Sequence, residues 1–159
     1  MFAGVIGSSK TQIAYYISWN LGLSIFNNDT IRAEVSIDCN GFNEAEYERR
    51  RDERLQVIIT SDKPFIYDAS IDRLWGDRKK QLVNAGYDIF IISLDLSKNK
   101  LQKIYNSKWQ DRDDIDKYLN DHELFLQTYS NDVNLHITDA MFSERLNISL
   151  NAVKNWMKI

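Results

Sequence analysis

Short apolar runs alternate along this chain with longer stretches whose apolar residues recur at helical spacing. The runs are Ile25-Phe26, Pro64-Phe65-Ile66-Tyr67, Ile89-Phe90-Ile91-Ile92-Ser93-Leu94 and Val133-Asn134-Leu135-His136-Ile137. The third is the longest, and β-branched and aromatic residues dominate it. Nearly continuous apolar runs of this kind predict strands buried on both faces of a parallel sheet. Between the runs, Ile13, Ala14, Ile17 and Leu21 share one helical face, with Gly22 placed to close the helix. Residues 43 to 61 predict a helix, charged at first and then apolar, that ends in the polar turn Ser61-Asp62-Lys63. Leu74, Trp75, Arg78 and Leu82 predict another, closed by Gly86. Residues 113 to 127 give a further helix with Ile115, Tyr118 and Leu119 inward. Leu146, Leu150, Val153, Trp156 and Met157 mark a terminal one. Trp75 and Trp156 are expected in the core.

Strands separated by helices imply βαβ units with right-handed crossovers, hence an α/β class with helices on both sheet faces. The one proline, Pro64, and the lack of repeats or a Gly/Ser-rich linker fit a single domain over residues 1–159. At 43% hydrophobic and 27% charged, the chain reads as globular. A net charge of −3 speaks against a global electrostatic grip on nucleic acid, while leaving room for a local phosphate site. Cys39 alone excludes an intramolecular disulfide or a Cys-rich zinc site. His122 and His136 lie too far apart in sequence for a His-rich metal motif. There is no apolar run long enough to span a bilayer and no basic-then-apolar leader, so a cytoplasmic protein is expected.

The most informative stretch is Gly4-Val5-Ile6-Gly7-Ser8-Ser9-Lys10-Thr11. A phosphate-binding loop of the Walker A kind has Gly, four residues, then Gly-Lys-Ser/Thr. Gly4, Lys10 and Thr11 fit that spacing, Ser9 stands where the second Gly belongs, and Gly7 adds a flexible point. The chemistry asks for backbone N–H groups curled around an anion at a helix N-terminus. Lys10 would bring a charge to the β- and γ-phosphates and Thr11 a hydroxyl to Mg²⁺. A Cβ at position 9 costs roughly 1 kcal/mol or more if the backbone there is left-handed. The same residues also fit a plain strand–turn–helix with Ser8 or Ser9 as N-cap. Downstream, Asn27-Asn28-Asp29-Thr30-Ile31-Arg32 follows a strand, so that Asp29 and Arg32 would face the ligand crevice as general base and charge clamp. Taken alone, a capped helix start with an arginine on the same helix is the simpler reading. Asp68 ends the strand Phe65-Ile66-Tyr67, where a metal- or substrate-binding carboxylate sits, or again a cap. Arg49, Arg50, Arg51 and Arg54 could receive a phosphorylated acceptor, but Glu46, Glu48, Asp52 and Glu53 are interleaved with them. An ion-paired helix face is the simpler outcome.

In this order, the loop, the Asn-Asp-Thr-Ile-Arg segment, the Ile-Tyr-Asp-Ala-Ser strand end and the Ile-Ile-Ser-Leu-Asp strand resemble the small P-loop kinases that include polynucleotide 5′-hydroxyl kinase domains and zeta-toxin-like kinases. The resemblance runs from Gly4 to the last helix. It implies a three-layer fold with a five-stranded parallel sheet, ATP with Mg²⁺ as cofactors, and γ-phosphoryl transfer to a hydroxyl or phosphate of a nucleotide, nucleic-acid end or small metabolite. It further implies nucleotide binding by Gly4, Gly7, Ser8, Ser9, Lys10 and Thr11, and metal contacts from Thr11 and Asp68. Asp29 would accept the hydroxyl proton, with Arg32 and Asp68 on the acceptor side. A lid would be carried on Tyr105-Asn106-Ser107-Lys108-Trp109-Gln110-Asp111-Arg112, with Lys108 or Arg112 covering the transferring phosphate. The departures at Ser9 and in the lid keep a second function open: a nucleotide-binding module with weak or no catalysis.

Overall fold

The computed structural model describes residues 1–108 and 114–159. Five short strands, all parallel, lie between helices. They are β1 (Phe2–Ala3), β2 (Ser24–Asn27), β3 (Phe65–Asp68), β4 (Ile92–Asp95) and β5 (Leu135–Thr138). The helices are α1 (Lys10–Leu21), α2 (Asn28–Asp38), α3 (Glu44–Thr60), α4 (Trp75–Asn84), α5 (Lys98–Lys108), α6 (Ile115–Tyr129) and α7 (Arg145–Met157).

The expected continuous five-stranded sheet is corrected by the hydrogen bonding. Among the described residues β1, β4 and β5 form one three-stranded sheet, and β2 and β3 a separate pair. The two meet at an isolated parallel bridge between Phe2 and Ser70, where Ile71 N–H donates to the Phe2 carbonyl at 3.0 Å. The spatial order is therefore β2-β3-β1-β4-β5, with a break between the second and third. The physical reason is the shortness of β1. Two residues satisfied by β4 on one side leave little ladder for β3, and the next backbone donor, Gly4 N–H, goes to the Asp72 carboxylate instead.

Alternation along the strands builds two cores. Phe2, Ile66, Ile92, Leu94 and Ile137 pack with Ile13 and Ile17 of α1, Leu101 of α5 and Val153 of α7. Ala3, Phe26, Tyr67 and Ile91 pack with Ile31 and Val35 of α2, Leu55 and Ile59 of α3, Leu82 of α4 and Phe125 of α6. Each fully buried Leu, Ile or Phe is worth roughly 1.5–3 kcal/mol relative to an exposed one. Trp75 is buried as expected, whereas Trp156 sits at the rim, 39% exposed and packed on Phe90. Only the start of the expected lid stretch falls within the described residues. Residues 105 to 108 are the last turn of α5, and Tyr105 is buried. Arg112 lies outside the described residues.

Candidate functional site

The carboxyl ends of β1, β3 and β4 converge on the 4–11 segment. Gly4 and Gly7 take φ of 128° and 78°, values that favour glycine, and a Cβ on Gly4 would meet Leu94 and Ser8 at 3.2 and 3.3 Å. Ser8 N–H turns back to the Val5 carbonyl at 3.2 Å. Ser9 precedes the first residue of α1 with φ 87° and ψ 15°, and its side chain makes no capping bond. The plain N-cap alternative therefore fails at position 9: a capping serine has extended backbone and accepts a bond from the first turn. What Ser9 does instead is receive Arg145 Nε on its hydroxyl at 2.8 Å and donate to Gln12 Oε1 at 2.5 Å.

Cations gather on this loop. Lys10 Nζ donates to the Gly4 and Val5 carbonyls at 2.8 and 2.7 Å. Lys108 Nζ, reaching from the end of α5, donates to the Gly7 carbonyl at 3.1 Å. Burial pulls the Lys10 ammonium down to about 8, against the pull of Asp72 and Asp68. Burial likewise lowers Lys108, and the Arg145 charge adds to it. Arg145 is stacked on Phe142 at 4.2 Å and has no carboxylate partner among the described residues. The sequence did not single it out, because one arginine ahead of a terminal helix looks like any first-turn residue.

Beside the loop, Thr11 Oγ1 donates to Asp68 Oδ1 at 3.2 Å, and Asn27 Nδ2 donates to Asp68 Oδ2 at 2.6 Å. Burial raises the Asp68 carboxyl above its ordinary range, and the bonds from Asn27 and Thr11 oppose this. Two hard oxygen ligands side by side suit Mg²⁺, which normally takes one or two protein oxygens and completes its shell with water and phosphate. Among the described residues no cluster of three or more His, Cys, Asp or Glu side chains offers a fuller metal cage. Asp68 does not cap a helix. The cap of α2 is Asn27, whose Oδ1 accepts from Thr30 N–H at 3.1 Å, so the Asp29 cap alternative also falls away. Asp29 occupies the first turn of α2, exposed, and its charge acts on both Lys10 and Asp68. Arg32, one turn on, stacks its guanidinium on Phe42 at 4.4 Å and Tyr47 at 4.6 Å and has no carboxylate partner among the described residues. In contrast, Arg49, Arg50, Arg51 and Arg54 are all ion-paired, to Glu34, Asp38, Glu46, Glu53 and Asp52 among others.

A second polar cluster lies under the loop. The Asp72 carboxylate accepts the Gly4 N–H at 3.1 and 3.3 Å. His122 of α6 places Nδ1 3.3 Å from Asp72 Oδ2, close enough to pair as charges but off the line of a hydrogen bond. Its Nε2 lies 3.1 Å from Asp95 Oδ1. Asp95 also receives Ser93 Oγ and faces His136 Nδ1, each at 2.5 Å. None of this was visible as a motif, because the partners are separated by up to 68 positions and meet only through the fold.

No family model matches the chain, and no curated protein matches it significantly. Among solved structures it is similar to a gluconokinase from Sinorhizobium meliloti 1021, with a TM-score of 0.68 at 12% identity over 98% of this chain and 90% of that one. It is also similar to the APS kinase of Mycobacterium tuberculosis in complex with AMPPNP and APS, with a TM-score of 0.57 at 18% identity over 96% of this chain and 95% of that one. At such identities the likeness establishes the fold alone: an α/β arrangement of parallel strands and helices shared with these two kinases.

Proposed function

We propose that the chain is an ATP-dependent phosphotransferase that moves the γ-phosphoryl group to a hydroxyl of a small, negatively charged metabolite. The observation that carries this is the joint placement, at one helix N-terminus, of the glycine-shaped 4–11 loop, the Lys10 ammonium and the Thr11–Asp68 oxygen pair. Helix N-termini with a nest of amides and a lysine favour polyphosphate. Both fold neighbours are by name kinases, and one was solved with AMPPNP.

The roles follow from position. Backbone amides of residues 7 to 11 and Lys10 would hold the phosphates, Lys10 exchanging its present carbonyl partners for phosphate oxygens. Thr11 and Asp68 would hold Mg²⁺, which neutralises charge on the transferring group. Asp29 would take the proton of the acceptor hydroxyl as that oxygen bonds to the γ-phosphorus and the bond to the β-phosphate oxygen breaks, leaving ADP. Lys108, which already reaches the loop at the Gly7 carbonyl, would cover the transferred group. Arg32, held flat by two rings and unpaired among the described residues, would take the anionic group of the acceptor. The arginines of α3 are neutralised by their own carboxylates, which favours a small acceptor over a nucleic-acid end. A second function, nucleotide binding without turnover, is favoured by Ser9 and by the engagement of Lys10 with its own loop.

Calorimetric titration with ATP-Mg²⁺, followed by γ-phosphate transfer to a panel of hydroxylated carboxylates, sulfates and phosphates, separates the two. Lys10→Met should weaken ATP binding about 10- to 100-fold, the weight of a charged hydrogen bond. Asp29→Asn should keep binding and lower turnover about 10²- to 10⁴-fold. Binding with no transfer to any acceptor in the panel would leave the non-catalytic function standing.

A further inference from the structure

We infer that His122 is a positioning residue for the phosphate loop: wedged between Asp72 and Asp95, it holds the carboxylate that receives the Gly4 N–H. Its consequence for nucleotide binding rests on the function proposed above; its geometry does not.

Gly4 opens the loop at φ 128°, where an L side chain is strained and a Cβ would press on Leu94 and Ser8. A buried N–H at such a point must find an acceptor or cost the fold the value of a lost hydrogen bond. Along a regular parallel ladder it would find a carbonyl of the neighbouring strand. Here the backbone ladder to β3 stops at the bond from Ile71 to Phe2, and the Asp72 side chain supplies the next acceptor. That carboxylate is itself almost sealed from solvent, its side chain 6% exposed, and a buried carboxylate needs a charged partner. His122, at 7%, is that partner, and Asp95 stands on its other side. The ring is held flat against Phe125, with the planes 10° apart. A chain of contacts therefore runs from the loop backbone through a side chain on the β3–α4 connection and a ring on α6 to the end of β4.

The charged and titratable groups facing His122 come from every packed element. Asp72 lies on the connection after β3, and Asp95 on β4. His136 of β5 acts through Asp95, and Lys10 of α1 acts through Asp72. The Arg73–Asp121 pair closes the rim. Burial opposes charge on the ring, but the two carboxylates outweigh it and hold the imidazolium up to about 9. The ring therefore carries its charge through neutral pH and releases the loop anchor only in alkali.

The test is nuclear magnetic resonance on the intact chain. The Gly4 amide and the His122 ring are followed together from pH 6.5 to 10. Both should move along one curve with a shared midpoint near 9, and that inflection should vanish from the Gly4 amide in His122→Gln. In Asp72→Asn, where Gly4 keeps an acceptor but the ring loses a charge partner, the midpoint should fall. ATP-Mg²⁺ should bind His122→Gln about tenfold more weakly, the usual scale for loss of a group that orients a binding residue. A Gly4 amide that ignores the His122 titration in the wild-type chain overturns the inference, with no need for a variant. So does an inflection that survives in His122→Gln, since it then belongs to Lys10. If the wild-type chain binds no ATP, the kinase proposal falls, while the shared curve still supports His122 as the anchor.

Discussion

At position 9 the backbone is left-handed and the residue is not glycine. Two opposed terms meet there. The Cβ costs on the order of 1 kcal/mol in that conformation, and the hydroxyl recovers part of it by bonding Arg145 and Gln12. Comparing two substitutions separates the terms. Ser9→Ala keeps the Cβ and loses the bonds, so it should destabilise the chain by about 1 kcal/mol in urea denaturation. Ser9→Gly loses the same bonds but relieves the strain, so it should be more stable than Ser9→Ala by about 1 kcal/mol. The opposite ranking would show that position 9 is not left-handed in solution.

At the level of elements, Asn27 does two jobs where β2 runs into α2. It caps the helix by accepting from Thr30 N–H, and it donates to Asp68. Asn27→Ala should cost about 1–2 kcal/mol of stability from the cap and also weaken Mg²⁺-dependent ATP binding, because Asp68 loses a bond that favours its charged form. Calorimetry with and without Mg²⁺ would show the second effect as a smaller metal dependence. The tie between α6 and the sheet has a pH signature. His122 has a folded value of about 9 against an ordinary 6.5, so its contribution is complete below 6.5 and is lost as pH rises through 9. The loss is on the order of 3 kcal/mol. Plotted as the stability difference between wild type and His122→Gln, so that groups common to both cancel, the gap should close between pH 6.5 and 10. Chemical denaturation at a series of pH values measures it.

The elements differ in how readable they were, for physical reasons. Helix α1 and its Gly22 cap follow directly from Ile13, Ala14 and Ile17, all buried. Helices α2 and α5 bury only pairs one turn apart, Ile31 with Val35 and Leu101 with Tyr105, which is too narrow a stripe to announce a helix. The apolar run beginning at Ile89 overstates β4. Its first residues pair irregularly, Phe90 with the Met1 amino group and Ile91 with Asn134, and regular pairing starts only at Ile92. Residues close together in sequence, such as Lys10 and Thr11, were nameable in advance. Asp72, His122, Asp95 and Arg145 were not, because only tertiary folding brings them together.

Over the whole molecule, charge is arranged locally rather than globally. The net charge is −3, the arginines of α3 are spoken for, and the unpaired described arginines, Arg32 and Arg145, lie one near Asp29 on α2 and the other against Ser9 of the loop. Single-stranded oligonucleotides should therefore bind weakly and with a shallow salt dependence, whereas a small anionic acceptor should compete with them fully. Fluorescence anisotropy across a salt series would check this, and a steep slope would restore a nucleic-acid end as acceptor.

The break between the two ribbons of strands has a mechanical meaning. Among the described residues, the backbone of the ribbon carrying Asp68 and backing α2 is linked to that of β1 by one rung, Ile71 to Phe2, and to the loop that continues β1 by one carboxylate, Asp72. With so few backbone links at this seam, the Ile71 rung should open more readily than the rungs inside either ribbon. Deuterium should enter the Ile71 amide well before those of Ser93 and Ile137, and bound nucleotide, by bridging both halves, should slow it.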